Sequence, residues 1–306
     1  MTKIANPVKP LALVNVYETK KDGSREIEIG FLPDPDLIGG EEDVTAFLAL
    51  DASASLKKMY GTQGPFISEP KYVEAVGQKI GSLLCSFSKS GKVTGIYWAI
   101  TPPGDQIQVF GEMDDAGWQK AEINGPGQKN WGKGTKLLPV IRYGYEMIFQ
   151  KTKSKMTMGV VLTDGIIEDE KDCLAYCLQI GKEQAGKNPT PFKLVLIGVG
   201  EEIDEGQLER FDDMFEGSGI DYDLWSHGMV SSIRDEGDIL SVLYGELADE
   251  NTIVAPSATI LDEKGIVVST FADGLPGKFR FVLPSGKKFT IHTPNGDITQ
   301  DISEIA

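Results

Sequence analysis

Histidine and cysteine are scarce in this chain. There are two histidines and three cysteines in 306 residues. The histidines, His227 and His292, have no spacing partner for a zinc site. No Gly-x-Ser-x-Gly elbow is present to build a serine hydrolase around either of them. An odd, small cysteine count excludes a disulfide framework. Cys173 and Cys177 stand four apart, on the buried face of an expected helix, and read as core filler. Long apolar runs are missing too. Nothing reaches the length of a membrane span, and Met1 to Pro10 has no apolar stretch of signal-peptide size. A cytoplasmic protein with no membrane partner is the resulting expectation. Positive charge is also in deficit, with Lys+Arg 30 against Asp+Glu 46 and a net charge of −16. Such a balance repels phosphate backbones, so nucleic acid is not expected as a partner.

Hydrophobic residues make up 41% and charged residues 25%, the composition of a globular protein. From Val44 to about Leu247, strand-like apolar runs alternate with helix-like periodic stretches. Thr45–Asp51, Val93–Ile100, Gln106–Phe110, Met158–Thr163, Phe192–Gly200 and Tyr222–Trp225 read as strands. Pro70–Phe87, Leu137–Phe149, Asp169–Ile180, Glu205–Phe215 and Ile239–Leu247 read as helices. This alternation predicts an α/β fold, Rossmann-like, with a central, mostly parallel sheet flanked by helices.

The two ends differ from that middle. Leu11–Tyr17 and Arg25–Phe31 form an expected hairpin, with Lys21-Asp22-Gly23 at its turn. After Asn251, two further hairpins are expected: Ala258–Leu261 with Ile266–Phe271, and Lys278–Leu283 with Lys288–His292. So short a meander rarely holds together alone. The expected organisation is an N-terminal hairpin over residues 1–40, an α/β domain over 41–250 and a small all-β domain over 251–306. The N-terminal hairpin is expected to pair with the C-terminal strands.

Chemistry concentrates at Asp51-Ala-Ser53-Ala-Ser55, where an apolar strand ends abruptly in an acid. Ligands bind at the carboxyl ends of strands in open α/β sheets. A carboxylate with two hydroxyls makes an all-oxygen nest that suits a hard cation. Two further pieces fall at the same edge of such a sheet. They are Thr135, within Gly132-Lys-Gly-Thr135, and Asp164, within Leu162-Thr-Asp-Gly165. Neutral hydroxyls of Ser53, Ser55 and Thr135 can bind Mg²⁺, with Mn²⁺ or Ca²⁺ as substitutes, while Asp51 and Asp164 orient coordinated waters behind them.

With these five residues in order, the chain resembles the von Willebrand factor A (vWA) family and its metal-ion-dependent adhesion site (MIDAS). Tyr60-Gly-Thr62 and the long helix after it are most similar to bacterial intracellular vWA proteins of the tellurite-resistance (Ter) type. The resemblance implies a non-enzymatic, metal-dependent protein–protein interaction module in a stress-response or multiprotein assembly. Its partner would be a protein ligand contributing an acidic side chain to the metal. The alternatives are a haloacid-dehalogenase-like phosphatase using Asp51, or a structural vWA module with a non-functional site. Ser53 stands where such a phosphatase needs its general acid. Gly127 to Lys133 falls short of a phosphate-binding loop, because Gly134 replaces its hydroxyl residue. Glu201-Glu202, after Gly198-x-Gly200, would repel a dinucleotide pyrophosphate.

Overall fold

The computed structural model describes residues 2–4, 7–8, 10–17, 20–21, 23–31, 44–61, 70–127, 129–154, 156–187, 191–200, 203–230, 243 and 253–303. The end of the expected N-terminal segment from Pro33 to Gly40, Thr62, the pair Glu201-Glu202, the boundary near 250 and all but Leu243 of the helix expected over Ile239 to Leu247 lie outside them. The chain forms two compact units, Met1–Gly40 with Leu243–Ala306, and Glu41–Val242.

The first unit is antiparallel throughout. Strands β1 (Thr2–Lys3), β2 (Leu11–Val16) and β3 (Arg25–Phe31) form one side of a four-stranded sheet. In the second unit, β4 (Val44–Asp51) is central, with β5 (Lys92–Ile100), β6 (Gln106–Asp114), β7 (Met156–Thr163), β8 (Phe192–Val199) and β9 (Trp225–Val230). The sheet order is β6-β5-β4-β7-β8-β9. All neighbours pair in parallel except β5 and β6. Only Thr101 to Asp105 joins those two strands, too few residues for the crossover that parallel pairing requires.

The remaining strands return to the first unit. They are β10 (Ile253–Ala255), β11 (Ala258–Asp262), β12 (Val267–Phe271), β13 (Leu275–Pro276), β14 (Lys278–Leu283), β15 (Lys288–Thr293) and β16 (Gly296–Asp301). β14 adds to β3, completing the sheet β1-β2-β3-β14. β15 pairs with β11 and β16 in a second sheet. The hairpin expected between Lys278–Leu283 and Lys288–His292 is therefore wrong. Pro284-Ser-Gly286 carries the chain from one sheet to the other. Both strands alternate their apolar side chains, so both can bury one face, and Phe281 meets Phe289 edge to face at 5.1 Å between centroids. Ile27, Ile29, Ile260, Phe289 and Ile291 are fully buried in one shared core.

The expected fold class also needs correction. A vWA-type, helix-flanked parallel core does not describe this chain: among the described residues strand outweighs helix, 39% to 28%, and the main sheet is mixed. The antiparallel β6 makes the main sheet mixed, and the seven short strands of the C-terminal region add further antiparallel pairing. Four of the helices among the described residues matter most to the six-stranded sheet. α1 (Tyr72–Phe87) buries Val73, Val76, Ile80 and Leu84 at helical spacing. α2 (Leu138–Arg142) has Pro near its start, where a missing N–H is harmless, and widens into a π-helical turn over Tyr143–Phe149. α3 (Glu170–Gln184) buries Cys173, Cys177 and Ile180. α4 (Glu205–Asp212) is capped by Asp204, which accepts from the Gln207 N–H.

β4 explains why the carboxyl end of this sheet is so firmly placed. Ala46 to Leu50 are each buried to within 1% of exposure. A buried Leu or Phe contributes about 1.5–3 kcal/mol each. Asp51 is the strand's last residue and is fully buried with it.

Candidate functional site

β4 and β7 are parallel neighbours, so they deliver Asp51 and Asp164 to the same end of the sheet. Asp51 is held from two sides. Its Oδ1 accepts the Ser53 N–H at 2.7 Å, and its Oδ2 accepts the Thr163 hydroxyl at 2.8 Å. The Tyr60 hydroxyl donates to the Asp51 carbonyl at 2.6 Å, pinning the turn that follows the strand. From there the hydroxyls run outward in a line. Ser53 Oγ lies 2.9 Å from Ser55 Oγ, and Ser55 Oγ donates to Asp164 Oδ1 at 3.0 Å.

Thr135 comes from a loop stitched to its surroundings by backbone bonds. Ala54 N–H donates to the Gly132 carbonyl at 2.7 Å, joining this loop to the serine loop. Lys133 and Lys136 N–H groups donate to the Pro102 and Gly104 carbonyls, and Glu168 N–H donates to the Thr135 carbonyl at 2.9 Å. The close fit demands glycine at two positions. A Cβ on Gly132 would sit 1.9 Å from the Ala99 carbonyl oxygen, and one on Gly104 1.8 Å from that of Gly134. Ala99 and Thr101, beside this seam, both have positive φ. Such backbone strain persists only where surrounding structure enforces it. The Thr135 hydroxyl lies 3.6 Å from where a Gly165 Cβ would stand, so Thr135 faces the Asp164–Gly165 turn. Asp169 fixes the far end of the loop, its two oxygens accepting the Leu137 and Leu138 N–H groups at 2.8 and 3.0 Å. Those are otherwise orphan donors at the start of α2.

All five residues, Asp51, Ser53, Ser55, Thr135 and Asp164, thus meet at one end of the sheet. The electrostatics suit a cation. Burial, and then the nearby Asp164 charge, push the Asp51 carboxyl up to about 6, against the opposing pull of the Ser53 and Thr163 hydrogen bonds. Two acids, Asp51 buried and Asp164 half-buried, therefore share one corner with hydroxyl oxygens. Among the described residues, no group of three or more His, Cys, Asp or Glu forms a metal cluster, so hydroxyls make up most of this donor set. Asp51 is fully buried and each of its oxygens accepts a hydrogen bond, so its carboxylate is not presented to solvent as an attacking nucleophile would be. The phosphatase alternative fails on that geometry.

Sequence reasoning missed the roles of Thr163, Tyr60 and Asp169. Thr163 was visible only as the residue before Asp164. Trp131 is half-buried, packed edge-on to Tyr60 at 5.0 Å. The other singled-out residues lie elsewhere. His227 Nδ1 is 3.0 Å from Asp212, and His292 bonds Asp297. Cys173 and Cys177 are fully buried, and burial pushes the Cys177 thiol up to about 12.

No family model matches the chain, and no curated protein matches it. The pilus adhesin SpaC from Lactobacillus rhamnosus GG is similar at a TM-score of 0.46 and 10% identity, covering 95% of this chain and 47% of that one. The chain thus spans about half the length of the SpaC structure. The PilB minor pilin from Streptococcus sanguinis is similar at a TM-score of 0.44 and 12% identity, over 76% of this chain and 77% of that one. The pilus adhesin RrgA from Streptococcus pneumoniae gives 0.36 and 8%, over 97% and 66%. The expected membership of the vWA family and of its Ter type is withdrawn: no family model matches the chain, and the similar structures are those of pilus adhesins and a minor pilin. The expected MIDAS interaction module, with its stress-response and tellurite-resistance roles, is withdrawn with that family. So is the cytoplasmic location, which rested only on the lack of long apolar runs. No helix among the described residues is long and apolar enough to cross a membrane.

Proposed function

We propose that the carboxyl end of the six-stranded sheet holds a divalent cation, Mg²⁺ or in its place Mn²⁺ or Ca²⁺, and binds a carboxylate ligand there. The observation that carries this reading is the line from buried Asp51 through Ser53 and Ser55 to Asp164. Ser53, Ser55 and Thr135 would supply neutral oxygens, and Asp51 and Asp164 would balance the charge behind them. A cation held by neutral hydroxyls keeps a strong appetite for an anionic oxygen. A protein ligand offering an Asp or Glu side chain fits that need. In this reading the site acts by binding, with the buried Asp51 held in place by Ser53 and Thr163.

The test is thermal melting with chelator, then with Mg²⁺, Mn²⁺ or Ca²⁺, for the wild type and for Ser53→Ala and Asp164→Ala. A cation at a hundred times its Kd should stabilise the wild type by about 2.7 kcal/mol and leave both variants unmoved. Identical wild-type curves in all four buffers would overturn the reading.

A further inference from the structure

The chain as a whole carries a net charge of −16, which should drive acidic ligands away. The two loops that bring the hydroxyls to the site run against that balance. Between Ala52 and Tyr60 there are two lysines, Lys57 and Lys58, and no Asp or Glu. Between Asn124 and Leu137 there are three more, Lys129, Lys133 and Lys136, again with no Asp or Glu. Lys57, Lys58, Lys129 and Lys133 are exposed. The short 3₁₀ helix Leu56–Tyr60 explains two of them. It buries Leu56 and Tyr60 and so turns Lys57 and Lys58 to solvent.

The loops lie side by side. The Ala54-to-Gly132 backbone bond and a bridge between Ser53 and Gly132 join them. Across that seam the Lys57 ammonium sits over the Trp131 ring, 5.8 Å from its centroid. Trp131 directly precedes Gly132-Lys133. The lysines therefore form one rim beside Ser53, Ser55 and Thr135. The acids facing the site from other elements are Asp164 itself, Glu168, whose carboxylate lies 2.7 Å from a Cβ position on Gly134, and Asp105 beyond Gly104. They belong to the loops after β7 and β5, so the positive rim is confined to the two hydroxyl-bearing loops.

We propose that this rim selects an acid-rich protein segment, in which the carboxylate on the cation is flanked by further Asp or Glu side chains that meet Lys57, Lys58, Lys129 and Lys133. The inference rests on the cation reading above and names the ligand that reading leaves open. Charge complementarity carries it. Exposed lysines add little each, but several acting together supply both selection and a faster encounter. A long nucleic-acid backbone fits less well, because it would leave the small rim and run onto an acidic surface.

Two labelled peptides of equal length test this, one with a single glutamate among Gly and Ser and one with a run of glutamates. Binding to the whole chain is measured by fluorescence anisotropy in Mg²⁺ and in chelator, at low and at physiological salt. The acid-rich peptide should bind about tenfold tighter in Mg²⁺, with the advantage shrinking as salt rises. Lys57→Gln combined with Lys133→Gln should erase the advantage while leaving single-glutamate binding in place. Equal affinities for the two peptides, no binding of either, or an advantage untouched by the lysine changes would overturn the proposal. So would a single-stranded oligonucleotide that binds more tightly than the acid-rich peptide. A failure of the cation reading looks different: chelator would leave lysine-dependent peptide binding unchanged.

Discussion

The Ser55 hydroxyl donates to Asp164 Oδ1 at 3.0 Å, across 109 residues of chain. That bond closes the site, since it ties the turn after β4 to the turn after β7. It also places the hydroxyl pair between two acids, one buried and one half-buried. The energetic tension of that arrangement has measurable consequences.

Asp51 should destabilise the cation-free protein at neutral pH. Its folded-state carboxyl is raised to about 6 from 3.8 by burial and by Asp164. A raised acid contributes stability that is fully present below its unfolded pKa and is lost as pH rises through the folded value. Asp51→Asn removes that loss. Its amide oxygen can still accept from Ser53 N–H, and its NH₂ can donate to a rotated Thr163 hydroxyl. In chelator at pH 7.5 the variant should be more stable than the wild type, by up to about 3 kcal/mol. At pH 3.5 the difference should vanish. Urea titrations at the two pH values check this, and a variant weaker than the wild type at both would refute it.

Gly104 should control cation affinity without touching a ligand. Its φ is +67, and a Cβ there would meet the Gly134 carbonyl at 1.8 Å, two residues in sequence from Lys136 and one from Thr135. Gly104→Ala must push the Thr135 loop outward, breaking the Lys136-to-Gly104 bond. Cation affinity should fall at least about tenfold, with a stability loss of about 1–3 kcal/mol. Calorimetric titration with Mn²⁺ reads the first effect and urea unfolding the second. Unchanged Mn²⁺ affinity would show that the seam does not position Thr135.

Glu28 should anchor the first unit. Burial alone would raise its carboxyl, but hydrogen bonds from Asn15 and Arg280 outweigh that and hold it below the usual range. Its Oε2 accepts from Asn15 at 2.8 Å and from Tyr17 at 3.1 Å, and its Oε1 accepts from Arg280 at 3.0 Å. Glu28→Gln turns an NH₂ toward donors on one side and should cost about 2–3 kcal/mol at pH 7. A lowered acid gives stability above its unfolded pKa and loses it as pH falls through the folded value. The variant's deficit should therefore shrink toward pH 3. Hydrogen exchange along β2, β3 and β14 localises the effect, and equal protection in variant and wild type at pH 7 would count against it.

Much of the middle of the chain is written in local pattern. Phe47 to Leu50 are apolar without interruption because β4 is covered on both faces, and Val73, Val76, Ile80 and Leu84 repeat at helical spacing because α1 buries one stripe. Asp51, Ser53 and Ser55 announce an oxygen site through their residue types and spacing alone. What local pattern cannot state is which strand lies beside which. Lys278–Leu283 and Lys288–Thr293 alternate alike, and period two says only that each has an apolar face, not that one joins β3 and the other β11. The direction of β6, the seam of Gly104 against Gly134, and the Ser55–Asp164 bond depend equally on residues far apart in sequence. The donors were therefore determined by the sequence itself. Their meeting, and the burial and neighbouring charge that make Asp51 hold its proton to about pH 6, were decided only when the parallel pairing of β4 with β7 brought Asp164 beside the buried Asp51.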